Sequence, residues 1–75
     1  MLKREWLIAY REAKGLSQQE VADAIGKSQS VYAAYELGVR TPRPKFAKAL
    51  ARIFKFDWTR FYEEDKNINH KIEQN

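Results

Sequence analysis

Cysteine is absent from the 75 residues, glycine occurs three times and proline twice. Without cysteine there are no disulfides, thiolate metal sites or thiol nucleophiles, and a reducing compartment is the expected setting. Long apolar runs are missing too. None exceeds five residues, as in WLIAY, far below the ~20 a helix needs to cross a bilayer. The start of the chain, MLKREWL, lacks the apolar stretch of a secretory signal, so the expected location is the cytoplasm. There is no serine–histidine–acid set, no glycine-rich phosphate loop and no cluster at metal-ligand spacing. His70 stands alone in a polar stretch, and the consecutive Glu63, Glu64 and Asp65 splay around the chain and do not converge. The expectation is a non-enzyme with no cofactor, no metal and no evident small-molecule ligand.

What is present is aromatic and basic. Two tryptophans, four tyrosines and four phenylalanines all lie between Trp6 and Tyr62, with aliphatic partners at helical spacing. Residues 1–62 therefore read as one small folded domain, and 63–75 as a polar tail in which only Ile68 and Ile72 are apolar. A chain this short buries only about 60% of its unfolded surface, so its core must be efficient. The net charge is +4, but its distribution matters more. Arg40, Arg43, Lys45, Lys48, Arg52, Lys55 and Arg60 face a single Asp57, whereas the tail from Glu63 holds four acids and two lysines. Such asymmetry fits a polyanion-facing side, and equally an ordinary solvated helix face.

Punctuation and periodicity predict five short helices, all-α, with no strand-like alternation. Helix 1 is expected over about residues 2–14, with Leu2, Trp6, Leu7, Tyr10 and Ala13 on one face and Gly15 ending it. Ser17 caps helix 2, Glu20 completes a capping box, and Leu16 can staple onto Val21. Val21, Ala22 and Ile25 turn inward before Gly26. Ser28 caps helix 3, which runs to Leu37 and stops at Gly38. VRTPRP is a loop, since each proline keeps its predecessor out of helical geometry. Pro44 suits the first position of helix 4, whose stripe is Phe46, Ala49, Leu50, Ile53 and Phe54. Asp57 caps a short helix 5, with Phe56 stapled to Phe61 and with Trp58, Phe61 and Tyr62 along one side.

Helices 2 and 3 are joined too tightly to lie side by side, so they must cross. One arc of helix 3 carries Gln29, Ser30, Ala33, Ala34 and Leu37, at 100° per residue. That arc holds no charge and little bulk. B-DNA's major groove admits one α-helix, where glutamine can pair with adenine, serine can bond to any base edge and alanine can meet a thymine methyl. The alternative is that small residues merely favour helix formation.

These residues carry a resemblance. LIAYREAKGLSQQEVADAIGKSQSVYAAYELG, continuing through RTPRPKFAKALARIFKFDWTRFYEE, resembles the lambda-repressor and Cro type of helix-turn-helix regulator, the XRE-like family, over about residues 7–64. Arg11, the SQ start of helix 2, Ala22, Gly26, Glu36-x-Gly38 and Pro42 join the five-helix layout in marking it. The resemblance implies that helix 3 enters the major groove. Gln29, Ser30, Ala33 and Ala34 would then face bases, and Gln18 would meet the backbone or an outer base. Phosphate contacts are implied for Arg40, Thr41 and Arg43, with Lys45 just beyond them. Gln19 at the start of helix 2 is a further phosphate candidate, and Lys27 must either snorkel or contact a phosphate. The free N–H groups at the start of helix 2 also favour an anion there. An ion pair of Arg11 with Glu36 is implied as well, suited to bidentate guanidinium contact; the alternative is two separate surface charges. Lys48, Arg52 and Lys55 are expected to be simply solvated.

The sequence departs from the family pattern in three places. Lys27 replaces a small apolar residue after the turn glycine. Ala34 stands where relatives carry a long polar reader, and Tyr32 and Tyr35 replace aliphatics.

The function expected is that of a sequence-specific regulator binding double-stranded DNA at a near-palindromic operator, a small repressor of phage or mobile-element type. One recognition helix reads few base pairs, so a homodimer is expected, with Trp58, Phe61 and Tyr62 as interface anchors. The competing expectation is an antitoxin or other protein-interaction module, its acidic tail holding a basic partner and DNA binding secondary. A membrane-surface role is disfavoured because the apolar faces are committed to a core.

Overall fold

One device ends four helices in succession. The N–H of the residue after a left-handed position reaches five residues back, bonding Leu16 to the carbonyl of Arg11, Lys27 to Ala22, Val39 to Ala34 and Phe56 to Ala51. The left-handed residue is glycine three times, Gly15, Gly26 and Gly38, and Lys55 (φ +64°) the fourth. Such bonds satisfy carbonyls that a helix end leaves without partners.

The computed structural model describes residues 3–63, divided into two compact units, one ending at Val39 and the other beginning at Arg40. Among the described residues there are five helices: α1 (Glu5–Ala13), α2 (Gln18–Ile25), α3 (Gln29–Leu37), α4 (Pro44–Phe54) and α5 (Arg60–Glu63). There is no strand element among them, and no described helix is long and apolar enough to cross a membrane. The all-α, five-helix expectation holds. Leu2, Ile68, His70 and Ile72, and the tail beyond Glu63, lie outside the described residues.

The first unit is built from α1, α2 and α3. Its core consists of Leu7, Val21, Ala22, Ile25, Tyr32 and Tyr35. The two tyrosine rings meet edge-on, 6.3 Å apart, an arrangement aromatic quadrupoles favour. α2 begins with the full reciprocal capping box. Ser17 Oγ accepts the Glu20 N–H, and the Ser17 N–H donates to Glu20 Oε1. Ser28 Oγ accepts the Val31 N–H at the start of α3. Between the two helices only Gly26, Lys27 and Ser28 intervene. Such a short link sends the second helix across the first. Gly26 supplies the positive φ (+75°) that this turn requires.

Helix 1 differs from the sequence expectation in two respects. Helix 1 starts at Glu5, not near residue 2, and Ala13 is exposed. Arg4 precedes α1 and is 1% exposed. Its guanidinium donates to the carbonyl of Tyr35 (2.6 Å) and its N–H to that of Glu36 (2.7 Å). It thereby neutralises the carbonyl end of α3, which has no basic residue in its own last turn.

The second unit holds α4 and α5. Pro44 occupies the first turn of α4. Ala47, Leu50 and Phe54 are its buried residues, whereas Phe46, Ala49 and Ile53 of the expected stripe are only half-buried, so the buried face is centred on Ala47 and Leu50. α5 is shorter than expected and begins after Trp58. Asp57 Oδ1 accepts from both the N–H and the hydroxyl of Thr59, a local turn ahead of the helix. Phe61 packs edge-on against Phe56 at 5.8 Å and is 0% exposed. It therefore belongs to the core of this unit and offers no surface to a partner. Trp58 and Tyr62 are half-buried, rings 5.8 Å apart, and the Tyr62 hydroxyl donates to the Pro42 carbonyl. Lys48, expected to be plainly solvated, sets its Nζ 4.9 Å from the centre of the Trp58 ring.

Candidate nucleic-acid interface

α3 carries two opposed faces. Inward, Tyr32, Tyr35 and Glu36 are buried. Outward, Gln29 and Ser30 are exposed, Ala33 and Ala34 half-buried, and Leu37 51% exposed. The outward face carries no charge, and its polar groups sit at the amino end. Ser30 Oγ lies 3.3 Å from Ser28 Oγ. The apolar character continues at the carboxyl end with Val39, 55% exposed.

Beneath this face runs a polar chain. Glu36, 2% exposed, receives the Arg11 guanidinium on both oxygens, Nε to Oε2 at 2.6 Å and Nη2 to Oε1 at 3.3 Å. Arg11 Nη1 also donates to the Leu16 carbonyl (2.9 Å), tying α1 to the approach of α2. Glu36 Oε1 accepts a third bond, from Gln18 Nε2 at 2.8 Å. Gln18 Oε1 in turn accepts from Gln29 Nε2 at 2.6 Å. A buried carboxylate is stable only when so paired. Burial pushes the Glu36 carboxyl up, but the bonds from Arg11, then Gln18, outweigh it and hold the group below the usual carboxylate range. The same contact raises Arg11. Tyr32 Oη is buried and has no partner in good hydrogen-bond geometry among the described residues. Burial first, and the adjoining Glu36 carboxylate second, push its pKa well above the tyrosine range.

The site residues expected from sequence fall into three groups. Gln18, Gln29 and Ser30 come together at the amino ends of α2 and α3, with Ala33 and Ala34 following on the same face as Gln29 and Ser30. Gln19 is exposed, and its amide donates to Asp23 one turn along (2.8 Å); Lys27 is half-buried. Arg40, Thr41, Arg43 and Lys45 belong to the second unit. Arg43 and Lys45 are exposed at the start of α4, with Lys45 Nζ 5.5 Å from the Phe46 ring centre. Arg40 is also exposed, but Thr41 is 1% exposed. A hydroxyl so covered does not reach a phosphate, so the contact expected of Thr41 is withdrawn. Arg4 and the Gln18–Glu36 bond were not foreseen. The one sequence signal for a foreign cation at the end of α3 is the absence of lysine or arginine from its last turn.

The Helix-turn-helix family model matches residues 7–61. The chain is 36% identical over 63 residues to the uncharacterized HTH-type transcriptional regulator YqaF of Bacillus subtilis (strain 168), covering 84% of this chain and 83% of that protein. It is 30% identical over 63 residues to the cryptic phage CTXphi transcriptional repressor RstR of Vibrio cholerae, covering 83% of this chain but only 57% of the relative. No solved structure matches significantly.

Proposed function

Because this chain belongs to the helix-turn-helix family, we propose that it is a DNA-binding transcriptional regulator that represses through a near-palindromic operator. The observation that carries this reading is the outward face of α3. It is uncharged, narrow along Ala33 and Ala34, and headed by Gln29 and Ser30. A helix lying in the major groove needs small residues where the groove is tight and donor–acceptor groups where base edges are met. An ordinary solvated helix face would carry lysine or glutamate there. The relatives' names, a transcriptional regulator and a phage repressor, point the same way.

In this reading Gln29 and Ser30 read bases, Ala33 and Ala34 line the groove, and Gln18 supports Gln29. Gln19, Lys27, Arg40, Arg43 and Lys45 supply phosphate contacts, which position the protein without reading sequence. The second copy needed for an operator pairs through Trp58 and Tyr62, which keep part of their surface, and not through Phe61. The cell compartment in this reading is the cytoplasm.

Selection of bound duplexes from a random pool, followed by footprinting, tests the proposal. An enriched sequence with two inverted half-sites one helical turn apart, ~34 Å, is expected. A pool that stays random after repeated rounds would refute sequence-specific binding. Retention of a protein partner by the acidic tail, with no enriched DNA, would favour the interaction-module reading instead.

A further inference from the structure

Glu36 lies on the inner side of α3 and is 2% exposed, so it touches no ligand of the outer face. Two hydrogen bonds nonetheless connect it to that face. Gln18 Nε2 donates to Glu36 Oε1, and Gln29 Nε2 donates to Gln18 Oε1. An ionised carboxylate can only accept. Gln18 must therefore turn its NH2 group toward Glu36, which leaves its carbonyl oxygen toward Gln29. That oxygen also only accepts, so Gln29 must turn its own NH2 toward Gln18. The sense of both amides is dictated from the buried end of the chain.

For Gln29 this leaves one N–H and the Oε1 atom outward, a donor beside an acceptor. Adenine presents the complementary pair in the major groove, the N7 acceptor and the N6 amino donor. Guanine presents two acceptors, N7 and O6. A Gln29 amide turned over would present the same two groups in reverse order, with its carbonyl oxygen against the N7 acceptor. The adenine match is then lost, while guanine meets a single N–H in either sense.

We propose that Glu36 is a specificity-determining positioning residue: through Gln18 it locks the sense of the Gln29 amide and so makes Gln29 prefer adenine over guanine. This rests on Gln29 being a base reader, as argued above. Arg11 completes the device by keeping the Glu36 carboxylate in place from the opposite side. If position 36 could donate, Gln18 could turn over and Gln29 would follow.

The test uses the full chain and the operator enriched from the random pool. Affinities are measured for that operator and for one with guanine in place of the adenine that Gln29 faces. The readout is the ratio of the two within each variant, so general weakening or partial unfolding cancels. Glu36→Gln should shrink the adenine-over-guanine ratio by about tenfold. In a Gln29→Ala background, adding Glu36→Gln should leave the ratio unchanged. Gln18→Met, which spares the Arg11–Glu36 pair, should also shrink the ratio and serves where Glu36→Gln folds poorly. An unchanged ratio in Glu36→Gln and Gln18→Met overturns the relay while leaving sequence-specific binding intact. A wild-type protein that enriches no sequence overturns both.

Discussion

Glu36 gathers bonds from two other helices, and its value to the fold depends on keeping them. Removing Arg11 leaves a buried carboxylate without its cation, whereas removing both charges leaves only an apolar contact to fill. Arg11→Met should therefore destabilise the fold by about 3–5 kcal/mol, and Arg11→Met with Glu36→Leu should recover much of that. Urea unfolding of both single variants and the double variant gives the coupling; a value near zero would make the two charges mere neighbours. The same carboxylate sets an acid limit. Its folded pKa is depressed below the ordinary value of 4.5, so the stability it contributes is complete above that pH and is lost as pH falls through the lower folded value. Unfolding midpoints of wild type should fall more steeply below about pH 4.5 than those of Glu36→Gln. Equal slopes would mean that other groups govern the acid limb.

At the scale of the helix, the most informative end is that of α4. Glycine takes the left-handed position after α1, α2 and α3, but Lys55 takes it after α4. A side chain there costs roughly 1–2 kcal/mol, partly offset because glycine loses more chain entropy on folding. Lys55→Gly should raise stability by up to about 1 kcal/mol, read as a higher thermal midpoint. A lower midpoint would show that the lysine stem contributes more than the strain removes. This end also marks where sequence reading stopped. The capping box of Ser17 and Glu20, the Ser28 cap and the three glycine stops were legible because each is chemistry local to a few residues. Lys55 carries no such local signal. Arg4 was illegible for the opposite reason: its partners are carbonyls of Tyr35 and Glu36, exposed only because a distant helix ends there. The Gln18–Gln29 neighbourhood was legible as a place, through the short turn, while the bond sense that Glu36 imposes needed coordinates.

For the whole molecule the open quantity is the number of copies. From sequence, Phe61 is expected as an interface anchor beside Trp58 and Tyr62. Burial against Phe56 leaves Trp58 and Tyr62, and Lys48 already covers part of Trp58. An interface resting on two half-buried rings is small, so self-association of the free protein should be weak. Sedimentation of wild type should show a concentration-dependent monomer–dimer shift, abolished in a Trp58→Ala protein that circular dichroism shows to be folded. A wild type that stays monomeric and binds half-sites as tightly as full operators would remove the dimer.

The uncharged outer face of α3 separates two energies that DNA-binding proteins often mix. Displacing cations from phosphates makes affinity fall with salt, by about 0.9 in log–log slope per contact. In this chain those contacts would come from groups off the α3 face, such as Arg43 and Lys45, while discrimination would come from Gln29 and its neighbours, which displace no ions. Affinities for operator and for random duplex should then decline along parallel lines as salt is raised. Arg43→Ala should flatten both slopes by about 0.9 and leave the gap between them unchanged. Selectivity would be invariant to ionic strength even where occupancy is not, so the genomic sites chosen would stay the same as the ionic composition around the chromosome shifts. Lines that converge with salt would mean that operator recognition recruits extra cationic contacts.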